Sequence, residues 1–367
     1  MSNGITEYLL EQRAPFDSVP LCDVDSLVFS TIAYFNFEAG VLGNTVPSEI
    51  VPLPVAVCGI SHQDLFGGIW LEGMGGDEFL AALLTSPRFM GVEVGYYINE
   101  ISNHFEKQFS AVSFFLPTGE VFVAYRGTDN TLAGWKEDFN LTYMRELPSH
   151  VSARTYLEDI ASLDASRLFV GGHSKGGNLA EYASLTCRES TFAKIERVFN
   201  HDGPGFSFAP SERIDSGDYN AKLDKTVPGS SVFGMLMETR DCYRVVRSTG
   251  VLFSQHASTH WSVEDGRFVE LDGLNPQVEI IAGTLNSWKD LYDSDEREMF
   301  IDAVFEVLRS ADADTWSEFS RNPSESARAI AEATAKLPAD MRTTILGMIA
   351  DIAPILASKV TEKIRPQ

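Results

Sequence analysis

The sequence predicts an α/β protein in which helices pack on a mostly parallel sheet. Short apolar runs typical of strands alternate with segments of helical pattern between residues 167 and 248. Such alternation indicates parallel strands, because each connection returns over the sheet through a helix. Apolar residues make up 44% of the 367 residues, so the chain has the composition of a globular protein and the length to bury a large core.

The first part of the chain predicts helices and then strands. VDSLVFSTIAYFN at 24–36 is an apolar helix, and residues 59–76 are rich in glycine and predict a loop. Residues 77–86 predict a short helix that stops before a proline. Apolar and β-branched runs then predict three strands, at 92–101, 109–116 and 121–127.

The alternation after residue 127 predicts the parallel part of the sheet. Residues 175–188 suit a helix that follows directly on a strand. The segments 127–135 and 206–240 have little regular pattern and predict loops, and the second is long enough to form a lid or a pocket wall. Three strands are expected in this part, at 167–172, 197–205 and 243–248.

The C-terminal part of the chain is helical in pattern. Residues 295–309 and 341–364 place apolar side chains at helical spacing, with a kink expected at Pro354. We therefore predict a domain over residues 1–284 and a helical appendage over residues 285–367. Its apolar faces are expected to pack on the core or on a second copy, giving a homodimer through these helices. Attachment to a membrane surface is the alternative.

Charge and composition exclude several classes of function. Lys and Arg total 29 against 52 Asp and Glu, a net charge of -23, which argues against a nucleic-acid partner and against anionic lipid. No apolar run reaches 18 residues and no signal peptide is evident, so we expect no transmembrane segment and a cytoplasmic location. The four cysteines form no CxxC pair, so we expect no metal site, and the sequence suggests no cofactor.

A glycine-flanked serine is the strongest chemical signal. Gly172-His173-Ser174-Lys175-Gly176 fits the G-x-S-x-G pattern, with a predicted strand before it and a predicted helix after it. On so sharp a turn the serine hydroxyl projects above the sheet, and glycines two residues away remove side chains that would collide. A phosphate-binding loop needs a different order of glycine and lysine. Ser174 is therefore predicted as the nucleophile of an α/β-hydrolase fold.

The base and the acid are expected after the serine in chain order. His256 is preferred as the base, because it lies in the loop after the strand 243–248; His260 is the alternative, and His201 is expected to be structural. Asp202 is the preferred acid, because it ends the strand that follows the nucleophile helix. The other acids that precede the strand at 243–248 stay open as alternatives, namely Asp224, Glu238 and Asp241.

An oxyanion hole needs two backbone amides near the nucleophile. The amide of Lys175 is expected to supply one, because it follows the serine at the start of a helix. The second is expected from Thr128, at a strand-to-loop junction after a glycine that allows close backbone approach. Arg126 and Asp129 are available to brace this loop.

Two motifs carry a resemblance to known families. YRGTDNTLAGWKEDFNL at 125–141 resembles the oxyanion segment of fungal-type triacylglycerol lipases, which have an aromatic-Arg-Gly-Thr followed by Trp and Asp. Over residues 5–270 the chain more closely resembles a bacterial, lipase-like α/β-hydrolase family of unknown function. That family shares GHSKGGNLA, an Asp-Gly-Pro-Gly and a Gln-His followed by Trp. The resemblance implies a triad of Ser174, Asp202 and His256, with Thr128 at the oxyanion position.

Together these residues predict a serine hydrolase that cleaves a small-molecule or lipid acyl ester through an acyl-enzyme. A second hypothesis is a catalytically inactive module of the same fold, which binds a lipid or a protein partner through the C-terminal helices. The two differ in one testable respect, because only the first requires a reactive serine.

Overall fold

The computed structural model describes residues 4–44, 48–67, 69, 71, 73–129, 131–163, 167–250, 252–309 and 323–364. Within these ranges one sheet has eight strands, numbered β1 to β8 along the chain. They span Ile50–Pro52, Glu93–Ser102, Lys107–Phe115, Val121–Tyr125, Leu168–His173, Ile195–His201, Leu223–Pro228 and Tyr243–Val246. Their spatial order follows their chain order.

The sheet has an antiparallel half and a parallel half. Strands β1 to β4 pair antiparallel, and β4 to β8 all pair parallel. Two further short strands, β9 (Val263–Glu264) and β10 (Arg267–Phe268), form a separate antiparallel ribbon. With helices on both faces, this sheet confirms the predicted α/β-hydrolase class.

The described helices before the parallel strands and between them are numbered α1 to α10. They span Ile5–Glu11, Asp23–Ile32, Leu53–Val57, His62–Phe66, Gly76–Thr85, Leu132–Asn140, Pro148–Ala161, Lys175–Thr186, Glu189–Phe192 and Gly217–Lys222. The C-terminal helices α11 to α15 span Pro276–Asp290, Ser294–Arg309, Pro323–Lys336, Ala339–Ala350 and Ile352–Ile364.

Alternating side chains of the strands divide the core into two layers. In β4, Phe122 and Ala124 face a cluster that contains Phe29 of α2, whereas Val123 and Tyr125 face the cluster around α7 and α8. This period of two is the geometry of a strand that is buried on both faces. The two layers fix β5 and α8, and therefore fix the turn between them.

Several elements depart from the sequence-based expectation. Strand β7 lies inside 206–240, which was expected to be irregular, and α4 lies inside the predicted loop 59–76. The sequence of β7 begins Leu-Asp-Lys, and its Lys225 is fully buried in an ion pair with Glu238. Polar residues in a buried strand hide the apolar run that identifies such strands.

The C-terminal helices contact the rest of the molecule through α11 and through α12, whose Phe305 packs against Phe139 of α6. The predicted boundary after residue 284 falls within α11, and the division into two domains stays a prediction. Ile301 and Phe305 of α12 are buried, as their spacing predicted. The helix at 341–364 is interrupted at Asp351, three residues before Pro354, since proline removes the amide that would bond to the carbonyl of Ala350.

One stretch of the described helices is long and apolar enough to cross a membrane. It covers Met341–Thr361, 21 residues with a mean hydropathy of 1.4, and only 6% of its apolar window is buried. The expectation of no transmembrane segment was based on uninterrupted apolar runs, whereas this stretch qualifies by average hydropathy. That expectation stays a prediction.

Candidate active site

Ser174 lies on the turn between β5 and α8, with a φ of 59° and a ψ of -135°. Its amide donates to the carbonyl of His201 over 2.8 Å. Two glycines make the turn possible. A Cβ on Gly172 would lie 2.2 Å from the backbone of Gly176, and a Cβ on Gly176 would lie 2.1 Å from the carbonyl oxygen of Tyr125. Any larger residue at either position would push strand and helix apart.

Asp202 follows β6 and is completely buried. Its Oδ2 lies 2.6 Å from Nδ1 of His256, and its Oδ1 accepts a hydrogen bond from the amide of Gly234 at 3.0 Å. The hydroxyl of Ser231 donates to the same Oδ2. A carboxylate with three such partners holds the imidazole of His256 in one orientation.

The ring of His256 lies between two other rings. The ring centroids of His173 and Phe233 are each 4.4 Å from its own. Nε2 of His173 donates to the carbonyl of His256 at 2.7 Å, and the hydroxyl of Tyr34 bonds Nδ1 of His173 at 3.0 Å. Burial lowers the pKa of His173 well below its usual value, so this imidazole is neutral. His173, the residue before Ser174, therefore holds the loop that carries His256 in place.

Ser174 and His256 share no hydrogen bond in the described part of the chain, but both lie next to His173. Among the described residues the Oγ of Ser174 has no hydrogen-bond partner, and the side chain of His256 is 18% exposed. The ring of His256 contacts the ring of His173, the residue before Ser174. A Cβ built on Gly203, next to Asp202, would lie 2.5 Å from the carbonyl oxygen of Ser174. Asp202 is therefore adjacent to the turn that carries Ser174. Hydrogen bonds between a catalytic serine and histidine are often long before a substrate binds.

The other predicted acids are occupied elsewhere. Asp224 pairs with Arg197 and Arg244, and Glu238 pairs with Lys225 and Arg240. Asp241 lies in the loop before β8, and neither it nor the other two contacts His256 in the described structure.

The other predicted histidines also have structural partners. His201 is buried between Ser26 and Thr226, at 2.7 Å from each hydroxyl, and burial lowers its pKa to about 3. His260 places Nδ1 2.8 Å from the carbonyl oxygen of Ser254. Of the histidines after the nucleophile, His256 is the one that contacts Asp202.

The segment that carries Thr128 lies against Ser174. A Cβ on Gly127 would come within 3.0 Å of the Cβ of Ser174. The Thr128 hydroxyl donates to Oδ2 of Asp138 at 2.5 Å, and Asp129 bonds both Arg126 and Thr131. Burial raises the pKa of Asp138 to about 6, and its buried Oδ1 has no hydrogen bond in the described structure.

Lys175 contributes its backbone and its side chain to different places. As the first residue of α8, its amide lies at a helix terminus, where backbone donors lack intrahelical partners. Its ammonium is buried, donates to the carbonyl of Gln108 at 2.9 Å and pairs with the buried carboxylate of Glu137. The charge of the ammonium is therefore compensated by Glu137 and does not act on Ser174. The dipole of α8 favours negative charge beside Ser174.

A cleft of about 190 Å³ opens beside Ser174. Most of its lining is apolar, from α6, from the loop at 233–237 and from α11. Its walls are formed by Trp135, Asp138, Phe139, Leu141, Thr142, Ser174, Lys175, Pro204, Phe233, Leu236, Met237, Leu285, Asn286, Trp288 and Lys289. Within the described residues no group of three His, Cys, Asp or Glu side chains is placed to hold a metal ion.

Several residues of this site were missed by the sequence analysis. His173 lies at the variable position of G-x-S-x-G, and only the G-H-S spelling shared with lipases points to it. Ser231 and Phe233 lie in the segment predicted to be a lid or pocket wall and in fact support Asp202 and His256. Asn286 belongs to a helix that was assigned to the appendage.

Comparison with known proteins relates the chain to one family. The sequence model of the Mbeg1-like family, which is lipase-like, matches residues 83–306, a range that contains Thr128, Ser174, Asp202 and His256. No curated protein matches the chain. A solved structure described as the crystal structure of M37 lipase is similar at 14% identity and a TM-score of 0.38, over 59% of this chain and 69% of that chain.

Proposed function

The chain belongs to the Mbeg1-like family, and we propose that it is a serine hydrolase that cleaves carboxylic esters through an acyl-enzyme. One observation carries this proposal. The buried carboxylate of Asp202 lies 2.6 Å from Nδ1 of His256, and the ring of His256 contacts His173, which precedes Ser174 on its strained strand-to-helix turn. Burial of an acid next to a histidine and a serine is the arrangement that activates a hydroxyl.

The proposed reaction has two steps. Ser174 Oγ attacks the acyl carbonyl carbon as Nε2 of His256 takes the serine proton, and the same proton then passes to the departing alkoxide. A water molecule, deprotonated by His256, attacks the acyl-enzyme and releases the carboxylic acid and Ser174. Asp202 stabilises the imidazolium in both steps, and the amides of Lys175 and Thr128 bind the oxyanion.

Covalent labelling tests the nucleophile. We expect a fluorophosphonate probe to form an adduct on Ser174 in the folded chain, and Ser174→Ala to lose both the adduct and ester hydrolysis, by about 10⁴-fold or more. His256→Gln should lose labelling to a similar degree, because the probe needs an activated hydroxyl. Ser162→Ala is the matched control, since Ser162 is exposed at the end of α7.

Labelling also separates the two hypotheses. A folded wild-type chain that gives no adduct on Ser174 and hydrolyses no ester would be an inactive module of this fold. Equal labelling of the wild type and His256→Gln would remove His256 from the proposed mechanism while leaving Ser174 in it.

A further inference from the structure

The cleft beside Ser174 has one wall from the core and one from the C-terminal helices. Phe139 and Trp135 of α6 form the first, and Leu285 and Trp288 of α11 form the second. We propose that this cleft binds the acyl chain of the substrate and that α11 limits it to uncharged chains of medium length, roughly six to eight carbons. This inference rests on the proposed function, because it needs Ser174 as the acylated residue.

The chemistry of the lining selects an uncharged chain. Nine of the fifteen lining residues are apolar. The three charged residues already have polar partners: Lys175 pairs with Glu137, Lys289 with Asp290 at 2.7 Å, and Asp138 accepts the Thr128 hydroxyl. A charged end on the acyl chain would therefore lose its hydration without gaining an unoccupied counter-charge.

The size of the cleft sets the length of the chain. An apolar cavity of about 150 Å³ accepts benzene, which has six carbons, so a cleft of about 190 Å³ has room for roughly six to eight. Shorter acyl groups leave part of the apolar wall in contact with water. Longer ones must project past the wall that α11 forms.

The wall formed by α11 is fixed on two sides. Asn286 accepts from the amide of Met237 at 2.8 Å and donates to the carbonyl of Met235 at 3.1 Å. The indole of Trp288 donates to the carbonyl of Met348 in α14 at 2.7 Å. These bonds connect α11 both to the loop that covers Asp202 and to the last helices, so the chain-length limit is built into the fold.

A series of p-nitrophenyl esters from acetyl to hexadecanoyl tests the inference. We expect kcat/KM of the wild type to rise about fourfold per methylene up to six to eight carbons, because each methylene leaves water, and to fall at dodecanoyl and beyond. Leu285→Phe should lower the octanoyl-to-acetyl ratio by about tenfold, and Leu285→Ala should raise the dodecanoyl-to-octanoyl ratio by about fivefold. Leu291→Phe is the control, because Leu291 is 59% exposed just after α11.

Binding to Ser174→Ala gives a readout that does not depend on turnover. Trp135 and Trp288 line the cleft, so octanoic acid should change the tryptophan fluorescence in a saturable way, and acetic acid should not. Ester hydrolysis with Ser174 labelled but no dependence on chain length would overturn this inference and leave the hydrolase standing. Octanoic acid binding by a wild type that hydrolyses no ester would support the cleft and overturn the hydrolase.

Discussion

At the scale of single residues, Ser174 and its neighbours combine backbone strain with close packing. Ser174 and Asp202 both have positive φ, at 59° and 55°, a conformation that costs a non-glycine residue about 1–3 kcal/mol. The backbone around Gly172 and Gly176 packs so closely that a Cβ at either position would collide with it. In the proposed mechanism, the hydroxyl of Ser174 and the carboxylate of Asp202 are therefore held in place before any substrate arrives, which is the condition for electrostatic stabilisation without reorganisation.

Asp138 gives a prediction about pH. Burial raises its pKa to about 6 in the folded chain, against about 3.9 for an unfolded aspartate. An acid with a raised pKa destabilises the fold progressively as pH rises from the unfolded pKa to the folded pKa; the loss is complete above the folded value and absent below the unfolded value. Asp138→Asn, which keeps an acceptor for Thr128, should raise the free energy of unfolding at pH 8 by up to about 3 kcal/mol and leave it nearly unchanged at pH 4.

Urea denaturation at the two pH values measures this difference. Asp159→Asn provides the control, since Asp159 is exposed on α7 and its replacement should change stability by less than about 0.5 kcal/mol at either pH. A variant at position 138 that is less stable than the wild type at pH 8 would mean that the ionised carboxylate stabilises the fold through Thr128.

The sequence predicted those site residues whose role is local. Glycines at fixed spacing mark Ser174, and the end of a strand marks Asp202. Each of these signals lies within a few residues of the position that it marks. His173, Ser231 and Phe233 act through partners that are 23 to 83 positions away in the sequence. No spacing rule connects such positions, so only the folded chain brings them to the site.

At the scale of elements, one buried ion pair connects α8 to α6. Lys175 and Glu137 are 1% and 0% exposed, and Glu137 also accepts amides of Gln108 and Ser149. Removing one partner leaves an uncompensated charge in the interior, so Lys175→Met should cost about 3–5 kcal/mol of unfolding free energy. The double variant Lys175→Met with Glu137→Gln removes both charges and should recover at least half of that loss.

A thermodynamic cycle from urea denaturation gives the coupling energy of the pair. Glu137→Gln alone is its third corner and should also be destabilising, because it leaves the ammonium without its counter-charge. If the two single losses simply add in the double variant, the charges do not interact, and the role of the pair as a connection between α6 and α8 is wrong.

Helices and strands with an apolar sequence pattern were predicted, whereas those interrupted by polar residues were missed. Strand β5 and helix α8 follow the expected limits within two residues, whereas β7 and α7 were not expected. The helix α7 shows a buried side through Ala153, Leu157 and Ile160, but polar residues interrupt that pattern along the chain. Lys225 in β7 pairs with a glutamate outside the strand, which sequence spacing alone does not indicate.

At the scale of the whole molecule, three histidines are completely or almost completely buried in the α/β core. Nε2 of His150 lies 2.8 Å from Oδ1 of Asn178. His201 contacts the hydroxyls of Ser26 and Thr226. His173 bonds the carbonyl of His256 and so holds its loop. Burial lowers the pKa of His150 to about 4 and of His201 to about 3, and it lowers that of His173 strongly. All three are therefore neutral in the fold.

These histidines make the fold sensitive to acid. In the unfolded chain they take up protons near pH 6.5, whereas the folded chain resists protonation, so stability falls as pH falls below that value. Each histidine lowers the free energy of unfolding by about 1.4 kcal/mol for every pH unit below 6.5. Above pH 4, the raised pKa of Asp138 has the opposite effect and offsets the contribution of one histidine. The net loss between pH 6.5 and pH 4.5 is about 5 kcal/mol, comparable to the whole stability of many domains.

Unfolding followed by circular dichroism from pH 8 to pH 3 checks this expectation. The wild type should lose its structure cooperatively between about pH 4 and pH 5, because the unfolded state then binds about two more protons than the folded state. His201→Gln should lessen the dependence on pH by about one proton, and His104→Gln should not, since His104 is exposed. A free energy of unfolding that stays level from pH 6.5 to pH 4.5 would show that these imidazoles are not held neutral, and the hydrogen-bonded core around the nucleophile would then be more hydrated than its burial indicates.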